Sequence, residues 1–301
     1  MKSIPSKTFL IVILATCPAR AERLLVETFD LPNGPLVTAS NGAWITHSGT
    51  PGQITVESGR IRLSGSRTED VRRTFTTNGV ASGQLFAAMD VRFPGLPSPT
   101  GTFFFHFKDP ADSGVASAFT GRIHVSTAGA WPGALRVGVA WGTGTPVFVA
   151  RDIATNTQCR LVLRLDFATT NAVLWVNPAS EADMQGSALA TDARGVGQGL
   201  SQVAFRQATG LGEVEVDALR VGTRFEDVAD AVPPLAGIER NAEGCRVWMP
   251  TSAWQGGWRV EAAGALRGPW VQGPEMTVEG SRAWALVPGN QPMLWFRLVR
   301  R

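Results

Sequence analysis

Along most of the chain, apolar and polar residues alternate with a period of two. From residue 85 to 93, Leu85, Ala87, Met89, Val91 and Phe93 share one side, while Asp90 and Arg92 take the other. The stretch "GTFFFHFKD" sets Phe103, Phe105 and Phe107 against His106 and Lys108. "GRIHVST" sets Ile123 and Val125 against Arg122, His124 and Ser126. "CRLVLRLDF" sets Leu161, Leu163, Leu165 and Phe167 against Arg160, Arg164 and Asp166. Each pattern is that of a strand with one buried face.

Between these runs lie "ESGR", "FPGLPSPTG", "DPADSG" and "ATTN", rich in the Gly, Pro, Asn and Asp that chain reversals need. Many short strands so punctuated predict an all-β chain, an antiparallel sandwich or barrel. No stretch of ten residues holds a helical period, and only "PASEADMQ" has the makings of one or two helical turns. The first domain is read as residues 22–228. A linker, 229–237, carries Pro233 and Pro234, which cannot join a central ladder. Residues 238–301 form a small β module, with strands expected in "CRVWM", "GWRVEAA", "RAWALVP" and "MLWFRLVRR".

The N-terminus changes the reading of charge. Lys2 and Lys7 precede the apolar run "FLIVILA", and Ala19 and Ala21 supply small residues before a cut, the pattern of a secretory signal over residues 1–21. The run is too short to span a membrane. Lipoprotein processing at Cys17 is the competing reading, and Thr16 fits it poorly. Cleavage near Ala21 removes Lys2, Lys7 and Arg20 and no acid, so the formal charge of +3 falls to zero. Without a basic excess, nucleic acid is not an expected partner. The expected location is secreted, cell-surface or periplasmic. Only Cys159 and Cys245 then remain, in different domains, so a disulfide framework is not expected and each reads as a small buried hydrophobe.

Several stretches together resemble the concanavalin-like or laminin-G-like jelly-roll domains of secreted bacterial proteins. They are "ETFDLPNG", "WITHSG", "QITVESGRIRLS", "GTFFFHFKD", "LWVNP" and "FRQATGLGEVEVDALRVGTRFEDV", and they cover the first domain. The ending, "RGPWVQG" through "WFRLVRR", resembles a short β module at the C-termini of exported proteins. The resemblance implies a jelly-roll sandwich. It does not name an activity, because lectins, glycosidases and adhesive spacers share the fold.

In "GEVEVDALRVG", Glu213, Glu215 and Asp217 alternate, and the stretch is open to three readings. Laminarinase-type glycosidases of this fold carry an E-x-D-x-E or E-x-D-x-x-E strand, and Glu213 and Glu215 are the catalytic candidates by that likeness. By the same resemblance this is the closing strand of the sandwich, and no Trp flanks it, which favours a solvated strand face. Val214 and Val216 share one parity and Leu219 and Val221 the other, predicting a bulge near Asp217 and Ala218. The metal reading follows from jelly rolls whose first and last strands are neighbours. That would bring Glu27 near Asp217 as ligands of a structural Ca2+, whose hard-oxygen preference they suit. Asp109 and Asp112 of "DPADSG" are a weaker pair. No cofactor is required by any motif present.

A concave outer face, as the resemblance implies, would be lined by Arg92, His106, Arg122, His124 and Arg164 as hydrogen-bond donors. Ordinary solvated positions are the plainer reading. The chain has ten Trp and no Tyr, so stacking on sugars falls to Trp. Trp131 and Trp141, in Gly-rich surroundings, are the candidates, while Trp44 and Trp175 read as core. His47 reads as a turn or packing residue, and a three-histidine zinc site is not expected.

Three functions follow in order of preference. The first is a secreted, non-catalytic sandwich binding polysaccharide or a cell-surface glycan. The second is a structural or adhesive module without a small ligand. The third is a polysaccharide-cleaving glycosidase.

Overall fold

The computed structural model describes residues 23–109, 119–184, 186–192 and 199–229, together with the backbone of 237–241, 244–250, 258–263, 271–272, 277–279, 282–288 and 295–300. The expected signal, the linker prolines and Asp112 lie outside the described residues. The chain divides into two compact units, residues 1–229 and 230–301.

The first unit is an antiparallel, jelly-roll-like β-sandwich. Its strands in chain order are β1 Arg23–Glu27, β2 Gly34–Pro35, β3 Ile45–Ser48, β4 Thr55–Glu57, β5 Arg60–Ser64, β6 Asp70–Thr74, β7 Gln84–Gly95, β8 Thr102–Lys108 and β9 Phe119–Ser126. There follow β10 Ala134–Ala140, β11 Val147–Phe148, β12 Ile153–Ala154, β13 Gln158–Asp166, β14 Asn171–Val176, β15 Ser187–Thr191, β16 Gln202–Arg206 and β17 Glu213–Gly222. The first sheet runs β15-β14-β13-β7-β17-β5-β4-β2, with β1 also paired to β17; the second runs β11-β10-β9-β8-β16-β6-β3, with β12 paired to β10. Two four-residue helices, α1 Leu36–Ala39 and α2 Phe225–Val228, were not expected from periodicity. "PASEADMQ" forms no helix among the described residues; Asp183 there accepts from the Ala179 N–H in a turn instead.

Alternation fills the space between the sheets. Leu85, Ala87, Met89, Val91 and Phe93 from the first sheet meet Phe104, Phe105, Phe107, Ile123 and Val125 from the second. Burying each of these side chains larger than alanine contributes about 1.5–3 kcal/mol. Trp44 lies fully inside, with its ring centroid 5.4 Å from that of Phe205. Trp175 belongs to a second apolar cluster, packed with Phe86, Val162 and Val173 against Phe225 and Val228 of α2.

β17, read as the closing strand, lies inside the first sheet. β7 pairs along it, while its other side is taken by β5 for Glu213–Val216 and then by β1 for Leu219–Gly222. The register slips between Asp217 and Arg220, and Ala218 has φ of 50°, so the predicted bulge sits where β17 changes partner.

In the second unit, β18 Gly237–Asn241, β19 Gly244–Pro250, β22 Thr277–Glu279 and β23 Arg282–Pro288 form one sheet, and β20 Trp258–Ala263, β21 Val271–Gln272 and β24 Trp295–Arg300 form another. Each of the four strands read there from sequence is present.

Candidate functional site

The outer face of the first sheet carries charges that compensate one another. Arg62, Glu215 and Arg92 stand directly opposite across β5, β17 and β7. Arg92 Nε and Nη2 both donate to Glu215 Oε2, at 2.9 and 2.7 Å. Arg160 holds Asp90 through two bonds of 2.8 and 3.1 Å, and Arg60 lies 3.9 Å from both Glu215 and Asp217. Such cross-strand pairs each contribute roughly 0.2–1 kcal/mol. Burial raises the Asp217 carboxyl above its ordinary value, against the Ala218 N–H and Arg60.

Glu213 instead lines a cleft of about 300 Å³ with Glu57, Arg62, Arg67, Gln53 and Gln207. Both of its carboxylates meet Arg62, at 2.8 Å for Glu57 and 3.7 Å for Glu213. The carboxylate triplet is thus neither free as a set nor gathered into one cavity.

The expected calcium pair is separated. β1 does run beside β17, with Glu27 opposite Leu219. Leu219 is buried in the core, so Glu27 faces inward, whereas the bulge at Ala218 leaves Asp217 outward beside Asp90 and Arg60. Glu27 is 7% exposed and its carboxylate accepts from the Trp44 indole N–H, the Phe29 N–H and Arg73. A carboxylate so occupied does not fit a calcium ligand. Among the described residues no group of three or more His, Cys, Asp or Glu is placed to hold a metal.

The five predicted donors are also split. Arg92 and Arg164 are on β7 and β13 of the first sheet; His106, Arg122 and His124 are on β8 and β9 of the second. Arg164 pairs with Glu181 at 2.7 Å and lies over Trp175. Trp141 is a core residue, 3% exposed, and so is not a stacking platform. It continues the inward row Leu135, Val137 and Val139 of β10, an alternation its Gly-rich surroundings disguised. Trp131, by contrast, is 76% exposed in the turn between β9 and β10.

His106, Arg122 and His124 do share a surface, and it holds residues that the sequence reading put elsewhere. The register of β8 shifts between Phe103 and Phe105, which turns Phe104 into the core and leaves Phe103 outside, opposite His124. Two guanidinium groups lie near the Phe103 ring, with Arg206 Cζ at 4.4 Å and Arg122 Cζ at 4.8 Å from its centroid. The Phe119 ring lies over His106 at 4.1 Å, and His47 approaches from β3 at 6.4 Å. Ala204, between Arg72 and His106, adds little bulk there, whereas the space over Gly138, opposite His124, is taken by the Phe148 ring of β11. Trp131 lies in the turn that follows β9, its backbone N–H bonded to Asp152.

This surface is short of hydrogen-bond partners. Among the described residues, fully buried His106 has no partner for either ring nitrogen, and none is found for His47 Nε2, His124 Nε2 or Arg72 Nε. Each buried unsatisfied group costs about 1–3 kcal/mol. Burial, followed by nearby cations, lowers the imidazoles: His47 to about 4 with Lys108 and Arg72 contributing, His124 to about 4 with Arg122 and Arg206, and His106 well below its ordinary value. At neutral pH all three are uncharged and able both to donate and to accept.

No protein-family model and no curated protein sequence matches the chain. Among solved structures it is similar to a sialidase at 13% identity over 67% of this chain and 19% of that one, with a TM-score of 0.42. It is similar to the VIP36 exoplasmic/lumenal domain in a Ca2+/Man3GlcNAc-bound form at 9% identity over 68% and 90%, with a TM-score of 0.41. It is also similar to the Emp47p carbohydrate recognition domain at 13% identity over 69% and 98%, with a TM-score of 0.39. The chain spans about a fifth of the sialidase's length. Likeness at this level says nothing of ligand or chemistry.

Proposed function

We propose that residues 23–229 are a non-catalytic carbohydrate-binding sandwich of an exported protein, with the glycan on the outer face of the second sheet. One observation carries the reading: half-buried aromatic rings, Phe103 and Phe119, sit among imidazole nitrogens that no group among the described residues satisfies. Sugar rings present this chemistry in reverse, apolar C–H faces beside hydroxyls that donate and accept. Trp131, exposed at the end of the same sheet, would extend the contact. The carboxylates a glycosidase would use are held by Arg60, Arg62 and Arg92 on the opposite sheet, which supports binding over cleavage.

Native electrophoresis through gels cast with a panel of polysaccharides tests the reading. Retarded migration without clearing, abolished by Phe103→Ala and reduced by Trp131→Ala, is expected. Cleared zones, or unaltered migration on every polymer, would overturn it. Export belongs to the same proposal, resting on the charged, apolar and small-residue order of residues 1–21. N-terminal sequencing of the processed chain should begin at Glu22.

A further inference from the structure

We propose that the cleft beside Glu213 is a second ligand site, one that takes a single neutral sugar ring by its hydroxyl groups. It lies on the first sheet, where the end of β5 meets the start of β17, and does not depend on the second-sheet reading above. Its volume of about 300 Å³ is at the small end for ligand pockets, which suits one ring rather than a polymer. Among the described residues that line it none is aromatic and only Leu63 is apolar, so hydrogen bonds have to hold the ligand.

Gln207 supplies the observation that points to a ligand. It is 3% exposed, and the Ser64 N–H donates to its Oε1 at 2.7 Å. That bond fixes the carboxamide, since a flip would set donor against donor. Nε2 is therefore a donor in the wall of the cleft, and none of the described residues accepts from it. Buried amide donors are normally satisfied. Arg67 adds a second unused donor group: its exposed guanidinium has no hydrogen bond or ion pair among the described residues. Glu57 and Glu213 supply acceptors. Glu57 accepts from Thr55 at 3.2 Å and from Arg62 at 2.8 Å, and Glu213 accepts from Ser64 at 2.9 Å and pairs with Arg62 at 3.7 Å. A carboxylate can accept about four hydrogen bonds, so both keep capacity for a ligand.

Unused donors and acceptors in one cleft select a ligand that both donates and accepts. An anion would gain from Arg62 and Arg67 but meet Glu57 and Glu213, and a cation would meet the reverse. Neighbouring hydroxyls suit both kinds of group and bring no charge to desolvate. An amino-acid zwitterion is the rival ligand of this chemistry, and the test includes it. The turn carrying Ser64 and Arg67 is seated in advance. The Gly65 N–H bonds to the Gly212 carbonyl at 2.7 Å, so close that a Cβ at Gly65 would lie 2.9 Å from the Gly212 nitrogen. Pre-seating of this kind lowers the ordering cost of binding.

Calorimetry and saturation-transfer NMR on the full chain test this, with glucose, galactose, mannose, xylose and fucose as probes beside glycine and glutamate. At least one sugar should bind with a dissociation constant of about 10 mM or tighter, and neither amino acid should. Arg67→Ala and Gln207→Glu should each weaken sugar binding about tenfold. Glutamate at 207 keeps an acceptor for the Ser64 N–H and replaces the Nε2 donor with an acceptor. Phe103→Ala, on the other sheet, should leave sugar binding as it is. Sugar binding unaffected by both cleft variants would overturn the inference, and its loss in Phe103→Ala would then place the sugar on the second sheet. An amino acid bound as tightly as any sugar, or no probe bound at all, would overturn it too, while polymer retardation still decides the second-sheet reading. Should Gln207→Glu fail to fold, Arg67→Ala, at an exposed position, decides.

Discussion

Glu215 and Arg92, directly opposite on β17 and β7, are joined by two hydrogen bonds that both end on one carboxylate oxygen. A carboxylate pinned in this way contributes to the sheet rather than to a reaction. Glu215→Gln should therefore lower stability by about 1 kcal/mol, below the range for buried charged hydrogen bonds because Arg92 is partly screened by solvent. Polysaccharide binding should not change. Urea titration and affinity electrophoresis of the variant check both parts, and loss of a polymer-cleaving activity in a folded Glu215→Gln protein would restore the catalytic reading.

The sheet-level contrast explains what could be read in advance. Period-two alternation separates Ile123 and Val125 from Arg122 and His124, and the parity slip before Leu219 places the bulge at Ala218. Three successive phenylalanines hide parity, so the turn of Phe103 to the outside is invisible in "GTFFFHFKD". Nor does a period state which sheet a strand joins. Arg92 and His106 look equivalent along the chain yet lie on different sheets. His47 reaches His106 through the non-local order β3-β6-β16-β8, which only the assembled sheet supplies.

Acid should destabilise the sandwich through its histidines. His47 and His124 titrate near 4 in the folded chain and His106 lower than its ordinary value, while the unfolded chain takes up protons near 6.5. Between those limits the unfolded state binds more protons, so stability is full above about pH 6.5 and falls as pH drops toward 4. The slope is about 1.4 kcal/mol per pH unit for each imidazole. Asp70 and Asp217, raised chiefly by burial, act in the opposite direction at the acidic end. Urea midpoints should hold steady from pH 8 to 7 and decline below 6.5, less steeply in His124→Gln; a flat profile to pH 4.5 would contradict the buried placement.

Ala218 carries the left-handed conformation that lets β17 pass from β5 to β1. A side chain there costs roughly 1–2 kcal/mol, which glycine avoids while giving back about 0.4–1 kcal/mol through the unfolded chain. Ala218→Gly should raise stability by about 0.5–1 kcal/mol and Ala218→Val should lower it, both read from chemical denaturation. Destabilisation by glycine would mean that the bulge is not built as described.

Glu27 ties the first strand to the core by accepting from Trp44, Phe29 and Arg73. Replacing it with Gln keeps the size but removes the charge that Arg73 meets and turns one of the two acceptor oxygens into a donor, which then faces either the Phe29 N–H or the indole N–H and Arg73. The expected cost is about 2–4 kcal/mol, since a buried charge and a buried donor lose their partner together. Because those three donors already occupy the carboxylate, millimolar calcium or a chelator should leave the melting temperature of the native chain unchanged. A rise in melting temperature with calcium that disappears in Glu27→Gln would show that Arg73 yields its place to the ion, and would reinstate Glu27 as a metal ligand.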